Sequence, residues 1–268
     1  MKRFDKTVTL ITGASAGIGA ALALEIAGQG GDVVLIARRK ERLQKMARDI
    51  ESIGQRALPI QADISNDGDI ELAVKKATTD FGRVDYVIAN AGFGVAGRLE
   101  RLTIDDYRRQ FETNVFGVLR TIYATREHLI ASRGCLGIIG SINGYLANPG
   151  LSAYVMSKFA VHGLAGSLWH EFHPHGVGVV LIVPGYIQTE IRQVDKKGIY
   201  HPEFKDRVPP WLRMSSEETA RQIADAIYRR QRIKVITGHG KMLVFLQRHC
   251  PVLLSGFLYL LRKKGLPV

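Results

Sequence analysis

Residues 7–19 read Thr-Val-Thr-Leu-Ile-Thr-Gly-Ala-Ser-Ala-Gly-Ile-Gly, a β-branched apolar run that stops at the first of three glycines, Gly13, Gly17 and Gly19. A short run of this kind predicts a buried strand, and a helical pattern follows over residues 17–29. Gly13 suits the tight turn between them, Gly17 lets the backbone approach a pyrophosphate, and Gly19 permits close helix–strand packing. The first N–H groups of such a helix lack partners within it and point at an anion. Strand, glycine loop and helix together open a dinucleotide-binding unit; the glycines alone would be a weak signal.

The same rhythm repeats along the chain. Apolar runs at 7–12, 32–37, 56–61, 84–89, 135–141, 177–183 and 233–237 alternate with helical patterns near 17–29, 40–53, 68–81, 104–132, 152–173 and 216–230. Such alternation predicts parallel βαβ units. Val33-Val34-Leu35-Ile36 and the run from Val179 to Val183 are apolar on consecutive residues, so helices should cover both faces of those strands. The expected fold is α/β, a single doubly wound Rossmann domain over residues 1–240 with a parallel sheet of about seven strands. Within it, residues 186–215 lack a period and contain Pro202, Pro209 and Pro210, as a lid over an active site often does. Residues 241–268 stand apart as a basic, apolar tail.

A chain of 268 residues with 46% hydrophobic and 23% charged residues is long enough for one large core and excludes a disordered or fibrous protein. The two cysteines, Cys135 and Cys250, argue against a disulfide framework or a thiolate metal site and make a reducing compartment the default. The run starting at Val8 is too short for a signal-peptide core, and no stretch of about 18 apolar residues follows. The expected location is the cytoplasm, or the cytoplasmic face of a membrane. Net charge is +12, but nine of the 37 Lys and Arg lie at or beyond Arg229 with no acidic residue among them. The first 228 residues hold 28 basic against 25 acidic side chains, so a near-neutral body carries a basic end.

The second strand ends Ile36-Ala37-Arg38-Arg39-Lys40. A carboxylate at this point would bond the ribose 2′-hydroxyl of NAD, whereas Arg38 and Arg39 suit a 2′-phosphate. The expected cofactor is therefore NADP(H).

From the Thr12–Gly19 run through residue 240, a series of further motifs appears in order. They are Asp63-Ile64, Asn90-Ala91-Gly92, Asn114, Ser141, the pair Tyr154-x-x-x-Lys158, and Pro184-Gly185 with Thr189 following. With these residues the chain resembles the short-chain dehydrogenase/reductase family over residues 5–240. The resemblance implies cofactor contacts from Gly13, Ser15, Ala16, Gly17, Ile18 and Gly19, and from Arg38, Arg39, Asp63 and Ile64. It implies others from Asn90, Ala91, Gly92, Pro184, Gly185, Ile187 and Thr189. Asn114, Ser141, Tyr154 and Lys158 are the implied catalytic set. In it, Lys158 also holds the nicotinamide ribose and Asn114 completes a proton relay through water.

The chemistry follows from the residue types. Tyr154 and Lys158 stand at i and i+4 on one helix face. An ammonium beside a phenol favours the phenolate, which predicts a lowered Tyr154 pKa and a general acid–base usable near neutral pH. Ser141 would hydrogen-bond a carbonyl oxygen. Ser141, Asn143, Tyr154 and Tyr186 are the substrate candidates, in a wall of mostly small or apolar residues at 93–95, 142–146 and Leu151. His170, His173 and His175 cluster at a helix end, but no carboxylate or cysteine group completes a metal site there. His128 and His162 sit in helical patterns and read as surface or packing residues.

The tail has two short apolar segments on either side of Pro251 and ends in Arg262-Lys263-Lys264. It suits an anionic membrane surface, and equally it suits packing on the body or on a second subunit. Nucleic acid is not expected as a partner, because the cations are interleaved with apolar runs. A homodimer or homotetramer through the 104–132 and 152–173 helices is implied by the resemblance. The ending departs from the family's soluble 3-oxoacyl reductases and looks more like members acting on steroids or long-chain lipids. The expected activity is NADPH-dependent reduction of a lipophilic small-molecule ketone. Alternatives are a soluble 3-oxoacyl or small-carbonyl reductase and an NADP(H)-sensing binding protein.

Overall fold

The computed structural model describes residues 2–206 and 208–256. Strands β1 (Val8–Thr12), β2 (Asp32–Ala37), β3 (Ala57–Gln61), β4 (Tyr86–Ala89), β5 (Cys135–Ile139), β6 (Gly178–Val183) and β7 (Ile233–Val235) form one sheet in the order β3-β2-β1-β4-β5-β6-β7. Every pairing is parallel. Successive strand residues face opposite sides, and the core splits accordingly. Ile11, Val33, Leu35, Ile88, Val180 and Ile182 pack in one layer with side chains of α1 (Gly17–Gly28), α2 (Lys40–Glu51) and α7 (Ser216–Tyr228). Leu10, Val34, Ile36, Val87, Leu136 and Leu181 pack in the other with α3 (Asp69–Phe81), α5 (Gly117–Ser132) and α6 (Ser152–Phe172). Burial on both faces is why these strands are apolar without alternation.

From β1 the chain first builds outward through β2 and β3, then returns to place β4 on the other side of β1. The loops leaving β1 and β4 diverge there and open a crevice at the carboxyl edge of the sheet.

Three segments differ from the expectations above. The expected helix over 104–132 is interrupted: α4 (Ile104–Phe111), opened by a Thr103–Asp106 capping box, passes through a π-helical turn at Glu112–Phe116 before α5 begins. The 186–215 segment is organised rather than irregular. Its ends pair through Gln188 N–H to Met214 C=O at 2.9 Å and Met214 N–H to Tyr186 C=O at 3.0 Å. Within it, Val194 bridges Tyr200, and Asp206 accepts from both Arg192 and Arg213.

The third difference concerns the tail. The division after residue 240 falls inside α8 (Gly238–His249), whose start is capped by Thr237 Oγ1 accepting from Gly240 N–H at 3.1 Å. Val244 and Leu254 are buried in the core layer beneath α6, and residues 251–256 are helical again beyond Pro251. Met242, Phe245, Val252 and Leu253 are exposed. Arg262, Lys263 and Lys264, on which the charge of the tail's end rests, lie outside the described residues. Among the described residues no helix is long and apolar enough to cross a membrane.

Candidate active site

The crevice is held together by Thr12 and Asn90, one from each diverging loop. Thr12 Oγ1 accepts from the N–H groups of Asn90 and Ala91 at 3.0 and 3.1 Å, and Asn90 Nδ2 donates to Thr12 C=O at 2.8 Å. The approach is so close that a Cβ on Gly13, which has φ +69°, would lie 2.8 Å from Ala91 Cα. A cavity of about 810 Å³ opens above this junction. It is lined by every expected catalytic, cofactor and substrate residue except Gly19 and Asn114, which lie behind its wall; of the expected apolar wall, Val95, Gly144, Tyr145 and Leu146 do not line it. A side chain on Gly19 would run into Gly13 C=O and Asn90.

At the nucleotide end, α1 begins at Gly17 behind Ala16, and no side chain among the described residues caps it. Its first N–H groups are therefore open to an anion. Gly17 has φ +56°, and a Cβ there would press on the Thr189 side chain at 3.1 Å. The uncapped helix, the glycine cradle and the cavity's size fit a dinucleotide, whose pyrophosphate this loop would hold. Arg38 and Arg39 border the same cavity. Arg39 Nε donates to Ser15 Oγ at 3.2 Å and its Nη1 to Glu190 at 2.8 Å. Arg38 donates to Gly198 C=O at 3.0 Å and lies 3.8 Å from Asp63. The Asp63 carboxylate is also held by the N–H and hydroxyl of Ser65.

At the other end, Ser141, Tyr154 and Lys158 converge. Ser141 leaves β5 and starts the 3₁₀ turn Ile142–Gly144, its Oγ accepting from Asn143 N–H at 3.1 Å. Tyr154 and Lys158 project from α6 into the cavity that Ser141 also lines. Lys158 is buried; its ammonium donates to Ile139 C=O at 2.8 Å, and burial lowers its pKa to about 8. The expected depression of Tyr154 does not appear. Burial raises the phenol above its ordinary value and outweighs the opposing pulls of the nearby Ser141 hydroxyl and the Arg192 charge. The Lys158 ammonium sits 5.7 Å from the Tyr154 ring centroid, turned to a carbonyl instead of to the phenol oxygen.

The side chain of Asn114, of which a relay role was expected, is bound to neighbouring groups behind the cavity wall. Oδ1 accepts from Phe93 N–H at 3.1 Å, while Nδ2 donates to Phe93 C=O at 3.0 Å and Ser157 Oγ at 3.1 Å. From the π-helical turn it clamps the chain just past Asn90-Ala91-Gly92. Asn143 accepts from Asn148 Nδ2 at 2.9 Å and, like Tyr186, stands in the cavity wall. His173 stacks on Trp169 and His170 meets that ring edge-on, away from the cavity.

Two residues in or behind the wall were not expected from the sequence. His162, one helical turn beyond Lys158, is mostly buried, and its Nε2 accepts from Ser141 N–H at 3.3 Å. Burial and the nearby Lys158 and Arg248 charges push its pKa down to about 4, so it is neutral. The ring fills space that side chains on Gly140 and Gly144 would occupy, and Tyr145 packs against it edge-to-face. His239, near the start of α8, accepts from Tyr186 N–H at 3.2 Å and stacks on the Tyr186 ring at 5.4 Å. The i+8 spacing of His162 from Tyr154 was a readable signal; His239, separated from Tyr186 by more than 50 residues, left none.

A family profile described as short chain dehydrogenase matches residues 7–199. The 11-beta-hydroxysteroid dehydrogenase A of Sesamum indicum is 34% identical over 188 residues, which are 69% of this chain and 54% of that protein. The chain thus spans about half the length of that relative. A short-chain dehydrogenase from Burkholderia cenocepacia, solved in complex with NADP, superposes with a TM-score of 0.78 at 28% identity, covering 89% of this chain and 99% of the other. A short chain dehydrogenase/reductase from Burkholderia phymatum, solved in complex with NAD, gives 0.83 at 24% identity over 95% and 97% of the two chains.

Proposed function

The chain belongs to the short-chain dehydrogenase family of NAD(P)-dependent oxidoreductases, and from that premise we propose that it reduces a lipophilic ketone with NADPH. The observation that carries the reaction is the placement of Ser141, Tyr154 and Lys158 in the same cavity as the Gly13–Gly17 loop. Bound NADPH supplies the hydride for the carbonyl carbon. Ser141 holds the carbonyl oxygen by a hydrogen bond, and Tyr154 delivers a proton to it. A phenol whose pKa is raised stays protonated, which is the state a proton donor needs in the reductive direction. The buried Lys158 ammonium adds positive charge beside the site as the oxygen gains electron density. Arg38 and Arg39 at the end of β2 favour the 2′-phosphate over a bare ribose hydroxyl.

The lipophilic substrate class rests on apolar lining from Phe93, Leu151, Ile187, Ile191 and Val194. The steroid dehydrogenase name of the sesame relative points the same way. Location at the cytoplasmic face of a membrane is supported by the exposed Met242 and Phe245 on α8. A homodimer or homotetramer is supported by the exposed Tyr123 of α5 and Met156 and Phe159 of α6. A second reading, a soluble reductase of small carbonyls whose C-terminal segment serves packing, is favoured by the burial of Val244 and Leu254.

The test is turnover across ketones from small diketones to steroids and long-chain 3-keto lipids, read as NADPH consumption. Tyr154→Phe should lower turnover about 10²–10⁴-fold, the usual range for a lost general acid, with NADPH binding largely kept. Retained turnover would remove Tyr154 as the proton donor. Wild-type turnover limited to small carbonyls would favour the second reading.

A further inference from the structure

Arg39, one of the two arginines expected to take the 2′-phosphate, and Arg42 three residues further along already hold an anion from the chain itself. Glu190 opens the 3₁₀ turn Glu190–Gln193, directly after the Thr189 side chain that lies against Gly17. Its Oε2 accepts from Arg39 Nη1 at 2.8 Å and its Oε1 from Arg42 Nη1 at 2.6 Å. Both guanidinium groups also lie over the Tyr200 ring, 5.9 and 5.4 Å from its centroid. Arg38 is engaged by the same segment through Gly198 C=O. The lid therefore crosses the nucleotide end of the cleft as well as the substrate end. On its far side Lys196 fastens it to Asp106 at the start of α4, at 3.2 Å.

A carboxylate bridging two arginines presents two oxygens to a pair of guanidinium forks, the arrangement a phosphate monoester also takes. We infer that Glu190 is a placeholder for the 2′-phosphate: it ties the lid to Arg39 and Arg42 until the phosphate of NADP(H) displaces it and frees the lid. This rests on the 2′-phosphate reading above and deepens it.

The energetics favour exchange in one direction. The side chains of Glu190, Arg39 and Arg42 are 27%, 36% and 40% exposed, so these ion pairs are only partly withdrawn from solvent and hold weakly. A phosphate brings nearly two charges and three acceptor oxygens against one charge and two oxygens. NAD(H) brings neither and leaves Glu190 in place. Selectivity then comes from displacement: the phosphate gains the arginines and the lid loses a tether. By linkage, whatever draws the lid onto the arginines weakens the phosphate, and the phosphate weakens the lid's hold by the same factor.

The test uses the full chain and adenosine 2′,5′-bisphosphate, with 5′-AMP and NADH as ligands lacking the 2′-phosphate, titrated calorimetrically. Glu190→Gln, nearly isosteric and at a partly exposed position, should tighten the bisphosphate roughly five- to tenfold and leave AMP and NADH within about twofold. In the wild type the bisphosphate, and not AMP, should speed tryptic cleavage of the lid at the exposed Lys197; in Glu190→Gln cleavage should be fast without ligand. The placeholder role is overturned if Glu190→Gln leaves bisphosphate affinity unchanged or lower while the wild type still prefers it and Arg39→Ala abolishes that preference. A loss of NADH affinity in Glu190→Gln would overturn it too, by making Glu190 an acceptor for the ribose hydroxyl. If the wild type binds bisphosphate and AMP alike and Arg39→Ala changes neither, the 2′-phosphate reading itself fails, which the other outcomes leave standing.

Discussion

His162 shows how a single side chain can hold a catalytic group it never replaces. Its Nε2 accepts the N–H of Ser141, which requires an unprotonated ring nitrogen, and burial keeps it so down to about pH 4 against an ordinary value of 6.5. The unfolded chain takes up that proton first, so the contribution to stability is full above about pH 6.5 and is lost as pH falls through about 4. A shift of that size corresponds to on the order of 3 kcal/mol. Urea unfolding of the wild type should weaken over this window, and His162→Gln, which keeps an acceptor but does not titrate, should flatten that part of the curve. An unchanged slope in the variant would assign the loss to other groups. Tyr154 is the converse lesson: the i,i+4 spacing placed Lys158 beside it, but burial and the carbonyl of Ile139 decided the electrostatics.

Among the elements, the π-helical turn Glu112–Phe116 and helix α8 do what no periodicity announced. The turn brings Asn114 against the backbone of Phe93, where one side-chain amide satisfies both the N–H and the C=O of a buried residue. Asn114→Ala would leave the Phe93 N–H unpaired, at about 1–3 kcal/mol, while the Phe93 C=O keeps Gln110 Nε2 as a donor at 2.8 Å. The expected result is a loss of about 1–3 kcal/mol in urea titration together with loss of turnover. Turnover lost at unchanged stability would instead support a direct part for Asn114 in proton transfer. Helix α8 starts before the apolar tail seemed to, and its first residues already serve the site through His239 behind Tyr186. Farther along, Arg248 donates to the Tyr145 hydroxyl at 2.9 Å, and Tyr145 packs on His162. The C-terminal helix is thus in contact with the turn that carries Ser141.

For the molecule as a whole, net positive charge gathers at one end of the chain, beside apolar side chains that α8 exposes. The net +12 sits mainly at and beyond Arg229, and α8 exposes Met242 and Phe245 while burying Val244. A surface of that kind binds anionic vesicles through apolar insertion and screened charge together. Flotation should show binding to vesicles rich in anionic lipid that weakens as salt is raised, and Phe245→Glu should reduce it at unchanged thermal stability. No binding at low salt would leave the end of the chain to protein packing.

The sequence by itself determined the architecture and most of the residues around the cavity. Consecutive apolar strand residues, glycines at 13, 17 and 19, and the Tyr154–Lys158 spacing are local signals, and each is imposed by a local requirement of burial, close approach or helix geometry. It did not determine the charge states or the pairings across the fold. Glu190 meeting Arg39 and Arg42 about 150 positions away, His239 behind Tyr186, Asn114 on Phe93 and the raised phenol of Tyr154 depend on which chains pack side by side and on how much water they exclude. Hydrogen bonds and pKa values are set by distance and burial, and both exist only once the sheet has brought those segments to one edge.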